Sequence, residues 1–201
     1  MRTSWRKLAR LDILGLENVP DTGPFLLVSN HQSDLDPPLI HSVISRPVHA
    51  VAKSNLFTVP GLRWLIRHLH TIPVRRYQVD PQAVRSALRL LREGKAVAIY
   101  LEGERSWDGH LQPYRPGTIR LALKAGVPII PVAIHGSYHA SPRWDSRIRP
   151  VTVTIRFMPP LHFPTLDRRS DRERALPAAA ARIMADLASA IADLSRSELN
   201  R

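Results

Sequence analysis

The sequence predicts a single-domain α/β fold with a largely parallel central sheet flanked by helices. Three observations lead there. Short apolar runs of strand length recur along the chain, segments of helical periodicity separate them, and an Ala-rich amphipathic stretch follows them. Strands that alternate with helices are covered on both faces by the crossovers, the setting in which parallel sheets occur.

The strands are expected at 25–29 (FLLVS), 48–52 (VHAVA), 71–74, 96–101 (AVAIYL), 129–134 (IIPVAI) and 151–157 (VTVTIRF). In the last, Thr152, Thr154 and Arg156 alternate with Val153, Ile155 and Phe157, which gives one polar face and a place near the sheet edge. Asp80 and Pro81 open a helix as acidic cap and first-turn proline. Val84, Leu88 and Leu91 repeat at helical spacing along it, and Gly94 ends it. A second helix runs over 116–124 and is closed by Gly126. From about 171 to 199, Ile183, Leu187, Ile191 and Leu194 form one stripe, so this segment is an amphipathic helix packed on the body. Residues 141–150 read as a polar loop bounded by prolines.

With 201 residues, 44% hydrophobic and 23% charged, the chain has material for one domain, 1–201, with a real core. It contains no cysteine, which removes disulfides, thiolate metal sites and a thiol nucleophile. Lys and Arg exceed Asp and Glu by 29 to 17, a formal charge of +12. Such a field attracts anionic lipid surfaces, nucleic acid or phosphorylated small molecules. Aromatic content is 6%, and neither a stacking platform nor a nucleic-acid motif is visible, so nucleic acid is not an expected partner. The basic start is followed by no apolar signal core, and the apolar runs at 96–101 and 125–134 are too short to span a bilayer. A cytoplasmic protein without a membrane-spanning helix is the expectation.

The strongest local signal is Asn30-His31-Gln32-Ser33-Asp34-Leu35-Asp36-Pro37-Pro38, directly after a strand. Asp36 before two prolines reads as a helix N-cap, with Pro37 in the first turn. His31 then sits in a polar loop at a strand end, where α/β folds place ligands. A chain that folds back at this junction lets the Asp36 carboxylate accept an imidazole N–H. That fixes the tautomer and makes the other nitrogen a base for a hydroxyl. Asp34 is the rival partner, and a plain loop histidine beside a capping aspartate is the competing reading. Ser33 stays open as a nucleophile. No His/Glu spacing suggests a metal.

A second signal, Tyr100-Leu101-Glu102-Gly103-Glu104-Arg105-Ser106, also follows a strand. Glu102 is a candidate to hold acceptor hydroxyls, and Gly103 permits close backbone approach, with N–H groups near it for an oxyanion. Arg105 is a candidate to grip phosphate, and Ser106 completes this candidate binding set. The stretch 53–76 adds Lys53, Arg63, Arg67, Arg75 and Arg76 around Leu62, Leu65, Ile66 and Leu69. It reads either as a basic amphipathic helix with Trp64 at an anionic membrane interface or as an ordinary surface helix. Arg75 and Arg76 follow the next strand and point toward phosphate binding.

Together these segments resemble the glycerophospholipid acyltransferase family (PlsC-like, lysophosphatidic acid acyltransferases) over about residues 8–157. Its four ordered blocks are matched by Asn30-His31 through Asp36, by Pro60-Gly61 through Arg76, by Tyr100 through Ser106, and by Val127-Pro128-Ile129-Ile130-Pro131-Val132. Arg115-Pro116-Gly117-Thr118 is similar to the link between the last two. The resemblance implies transfer of a fatty acyl group from acyl-CoA or acyl-carrier protein to the hydroxyl of a lysophospholipid, 1-acylglycerol-3-phosphate above all, without a cofactor. It implies His31 and Asp36 as the catalytic pair and Arg76, Glu102, Gly103, Arg105 and Ser106 as the substrate-binding set. Lys53, Arg75 and Pro131 are further candidates. Membrane contact would be peripheral, at the cytoplasmic face. Leu101 stands where the family has Pro, Glu104 where it has Thr, and Arg75 where Asp is common. Glu104 keeps open a different lipid acceptor, such as an ornithine lipid or glycolipid. The third reading is a non-enzymatic basic module that binds membrane or nucleic acid.

Overall fold

The computed structural model describes residues 10–54, 71–75, 80–145, 147–166 and 168–199. Its sheet has seven strands: β1 (Arg10–Leu14), β2 (Phe25–Ser29), β3 (Val48–Lys53), β4 (Ile72–Val74), β5 (Ala96–Tyr100), β6 (Ile129–His135) and β7 (Thr152–Phe157). Their spatial order is β1-β7-β6-β2-β5-β3-β4. All neighbours are parallel except β6 and β7. The helices are α1 (Asp36–Val43), α2 (Pro81–Arg92), α3 (Pro116–Ala125), the short α4 (Ser137–Ala140) and α5 (Arg169–Leu199). The expected largely parallel α/β domain is what forms.

Continuous apolar runs make the sheet centre. All five residues of β2 and of β5 are buried, because helices cover both faces. On one face Leu26, Val28, Val97, Ile99 and Leu101 pack with α2, α3 and α5. On the other, Phe25, Leu27, Ala96 and Ala98 pack with Leu39, Ile40 and Val43 of α1. The α2 cap is as the sequence predicts: the Asp80 carboxylate accepts from Gln82 N and Ala83 N, both at 3.1 Å. Gly126 ends α3 at φ 63°, a left-handed conformation that a side chain resists.

Three features differ from the expectation. Residues 10–14, assigned to no element from the sequence, form β1 at the sheet edge, so β7 lies one strand inward. The segment RLDIL is half exposed and lacks the apolar run that marks the interior strands. Asp36 is the first residue of α1 rather than its cap, since its carboxylate turns back into the preceding loop. Finally, α5 is long and apolar enough to cross a membrane by length and composition, contrary to the expectation that no segment qualifies. Alanine raises its hydropathy without bulk. One side of it, carrying Leu176, Ala180, Ile183, Leu187 and Leu194, is buried in the core. Arg120–Glu173, Arg156–Asp193 and His135–Glu198 pairs hold it to α3, β7 and β6.

Candidate active site

The register of two central strands builds the site. Ser29 of β2 is level with Tyr100 of β5, so loops 30–35 and 101–106 leave the sheet side by side. Backbone bonds then lace them together: Leu101 N donates to Ser29 O at 2.8 Å, and Ser106 N to His31 O at 2.7 Å. Asn30 extends the sheet with its side chain. Its Nδ2 donates to Ile134 O and its Oδ1 accepts from Ile134 N, both at 2.8 Å, as a strand residue would.

His31 stands between these loops, only 5% exposed. Its Nδ1 lies 2.8 Å from Asp36 Oδ2. The same oxygen accepts from Gln32 N at 2.7 Å and Ser33 N at 2.9 Å. An oxygen that takes two backbone N–H groups is acting as an acceptor, so the proton of this contact belongs to Nδ1. The lone pair is then on Nε2, which makes no hydrogen bond among the described residues. The Tyr100 ring stacks on the imidazole, centroids 3.9 Å apart and 20° from parallel. Burial pushes the Tyr100 phenol well above its ordinary range, and the charges of Asp36 and Asp34 add to this.

The rival carboxylate is accounted for elsewhere. Asp34 is exposed and pairs with Arg105 Nη1 at 2.8 Å, which ties the two loops at their rim. Ser33 is fully buried; its hydroxyl donates to Ser141 O at 2.8 Å and accepts from Leu35 N at 3.2 Å, so it is not poised to carry an acyl group.

Several residues of the expected binding set do other work. Glu102 is 2% exposed, and both its oxygens face backbone: Oε1 accepts from His31 N at 2.7 Å and Oε2 from Gln112 N at 3.0 Å. It positions the His31 loop instead of facing a substrate hydroxyl. Burial is the main cause that pushes its carboxyl up to about 7, against the two N–H bonds, which lower it. Ser106, expected to bind substrate, is buried and organises a turn: its hydroxyl donates to His110 O at 2.7 Å and accepts from Gly109 N at 3.0 Å. Gly103 has φ 71°, and a Cβ there would lie 2.9 Å from Arg115 Cγ. Its N–H donates to Tyr100 O at 3.1 Å, so this amide is already used and does not face an oxyanion.

Pro131 is buried inside β6, and its carbonyl accepts from Met158 N. The missing donor thus lies on the β7 side, where the ladder begins, and pairing with β2 is unharmed. Lys53 ends β3 and the exposed Arg75 follows β4, at the far edge of the sheet from β6. Arg76, Trp64 and the basic helix around Arg63 and Arg67 lie outside the described residues. Glu104 is bracketed by Arg115 Nη2 at 2.9 Å and Arg143 Nη1 at 3.0 Å, which offsets its charge. Among the described residues no three His, Asp or Glu side chains converge as a metal site.

A family model described as Acyltransferase matches residues 10–135, a span that includes both loops. The chain belongs to the acyltransferase family. This family member is 33% identical over 135 residues to the chloroplastic 1-acyl-sn-glycerol-3-phosphate acyltransferase BAT2 of Brassica napus, covering 64% of this chain and 38% of the relative. It is 30% identical over 157 residues to the 1-acyl-sn-glycerol-3-phosphate acyltransferase of Pseudomonas aeruginosa, covering 76% and 60%. The matched region therefore spans about two fifths to three fifths of the length of these curated relatives. The crystal structure of the 1-acyl-sn-glycerophosphate (LPA) acyltransferase PlsC from Thermotoga maritima superposes with a TM-score of 0.79 at 27% identity, over 96% of this chain and 76% of that one. The PlsC-like fold is thus shared over almost all of this chain.

Proposed function

We propose that this acyltransferase-family chain transfers a fatty acyl group from a thioester to the hydroxyl of a lysophospholipid, 1-acylglycerol-3-phosphate in the first instance. The observation that carries the reading is the commitment of His31 Nδ1–H to Asp36, which leaves Nε2 as the basic nitrogen. In the reaction, Nε2 takes the proton of the acceptor hydroxyl. The oxygen attacks the thioester carbonyl carbon, and the tetrahedral adduct collapses with cleavage of the C–S bond. The thiolate leaves and takes back the proton from Nε2. Asp36 stabilises the imidazolium between these steps. No covalent acyl-enzyme is required, in keeping with the engaged hydroxyl of Ser33.

The named relatives support lysophosphatidate as acceptor, and acyl-CoA and acyl-carrier protein are the two donors to compare. The alternative of an uncharged lipid acceptor rests on the extra charge of Glu104, which Arg115 and Arg143 offset. The test is turnover of lysophosphatidate and a lysolipid panel with both donors, read by mass spectrometry, for the parent and His31→Ala. General-base catalysis supplies about 10²–10⁴-fold in rate, and at least that loss is expected. Turnover of His31→Ala near the parental rate overturns the assignment. Equal use of phosphorylated and uncharged acceptors overturns the choice of substrate.

A further inference from the structure

Five large hydrophobic residues are exposed among those described, and three of them, Trp107, Trp144 and Ile148, lie in two loops beside the active site. Trp107 is 53% and Trp144 61% exposed. Their rings stack with centroids 6.1 Å apart. Tyr138 meets Trp144 edge-on at 6.2 Å, and its hydroxyl donates to Trp107 O at 3.2 Å. Arg143 lies over the Trp107 ring, 3.5 Å from its centre, and also donates to Arg105 O at 3.0 Å. The Trp144 loop is held by Asp145 N to Pro142 O at 3.2 Å and Arg149 N to Ala140 O at 2.8 Å. The exposed rings are therefore carried on backbone tied by hydrogen bonds, which limits the entropy lost when they are buried against something else.

We propose that this aromatic tip is the surface by which the protein docks on an anionic bilayer, with Trp107 and Trp144 inserted at the headgroup level. Tryptophan is the side chain enriched at that depth, an apolar body with one polar N–H. In the flanking segment 143–149, Arg143 is paired with Glu104 and Arg149 with Asp145, while the exposed Arg147 adds a cation beside the rings, a charge suited to anionic headgroups. Asp108, exposed beside Trp107, opposes this, and Glu104 is already paired. Two side chains on two loops make a small projection, far short of the roughly 800 Å² per partner of a stable protein interface. A bilayer, in contrast, closes around such a projection.

The position gives docking a consequence. Trp107 follows Ser106, whose N–H is bonded to His31 O, and Gln32 Nε2 donates to Gly109 O at 2.7 Å. Insertion of the tip sets the His31 loop at the lipid surface, where a lysolipid presents its hydroxyl; this last step alone rests on the acyl-transfer reading above.

The experiment measures binding of the full chain to phosphatidylcholine vesicles with and without phosphatidylglycerol, for the parent, Trp144→Ala and Trp107→Ala/Trp144→Ala. A buried large side chain carries about a tenfold effect, so the double variant is expected to bind the anionic vesicles at least about tenfold more weakly. Its turnover of a short-chain acceptor dissolved below its micelle concentration stays parental, while turnover of vesicle-embedded acceptor falls with binding. In a Trp5→Phe/Trp64→Phe protein, the two remaining tryptophans are quenched by brominated lipid. Undiminished vesicle binding by the variants, or unquenched emission, overturns the proposal. Loss of binding to acyl-carrier protein with vesicle binding intact overturns it in favour of a protein partner. Absence of turnover on the dissolved acceptor by the parent removes the acyl-transfer reading and leaves the docking result standing.

Discussion

The carboxylate of Glu102 accepts the backbone N–H of His31 at 2.7 Å across 71 positions of chain. That contact sets the height of the imidazole above the sheet, and its cost is the burial of a charge. The carboxyl is pushed from its ordinary 4.5 up to about 7, chiefly by desolvation. Between those values the folded state binds more protons than the unfolded chain. Stability therefore falls as pH rises through this window. A tenfold change in an acid dissociation constant corresponds to about 1.4 kcal/mol, so the contribution is on the order of 3 kcal/mol. Denaturant melts of the parent and Glu102→Gln from pH 4 to 8 check this. The parental curve declines relative to the variant over that range, and parallel curves rule it out.

The two carboxylates of the first loop separate cleanly in role. Asp36 is buried against His31, and Asp34 is exposed against Arg105. Asp36→Asn keeps an acceptor for the loop N–H groups but removes the charge that stabilises imidazolium. It is expected to lower kcat by about 10²-fold or more with little change in KM. Asp34→Asn removes one partly exposed ion pair, worth about 1 kcal/mol at most, and leaves kcat within a few-fold of parent. Steady-state kinetics of the two variants decide, and equal losses would contradict the assignment of Asp36.

Tyr100 carries a buried hydroxyl with no hydrogen-bond partner among the described residues. Such a group costs about 1–3 kcal/mol relative to an apolar replacement of the same shape. Tyr100→Phe keeps the ring that stacks on His31. A rise in unfolding free energy of about 1 kcal/mol is expected by chemical denaturation. A loss of stability would show that the hydroxyl has a partner.

Much of this is legible in the sequence, for a physical reason. The interior strands are apolar runs buried on both faces, so FLLVS and AVAIY are marked by composition alone. The cap at Asp80 and the stop at Gly126 are marked by backbone chemistry. His31 and Asp36 lie five apart, and a local turn suffices to join them. The edge strand Arg10–Leu14 escapes such a reading because its side chains are half exposed and its pairing with β7 is fixed by residues far along the chain. The role of Glu102 depends on the register of β2 with β5, which no local pattern encodes. The turn that Ser106 organises is hidden for a similar reason: its partners follow it within four residues, with no distinctive spacing.

Asn30 is the position where a polar side chain substitutes for a strand. Its amide gives one donor and one acceptor to Ile134, and the residue is 1% exposed. Asn30→Ala leaves both backbone groups of Ile134 unpaired, at about 1–3 kcal/mol each. Asn30→Asp keeps the acceptor but sets a carboxylate oxygen against Ile134 O, a contact between two acceptors. The loss at neutral pH is then at least as large as for alanine. Protonation changes the outcome, because a neutral carboxylic acid offers one O–H and one carbonyl, the same pair the amide supplies. Burial favours that neutral form, so the stability of Asn30→Asp is expected to climb toward the parent as pH falls, while Asn30→Ala does not recover. Other carboxylates titrate alike in both variants and cancel in their difference. Urea melts of the two from pH 8 down to 4 carry the test, and a constant difference between them would show that the Asn30 amide does not span the two strands.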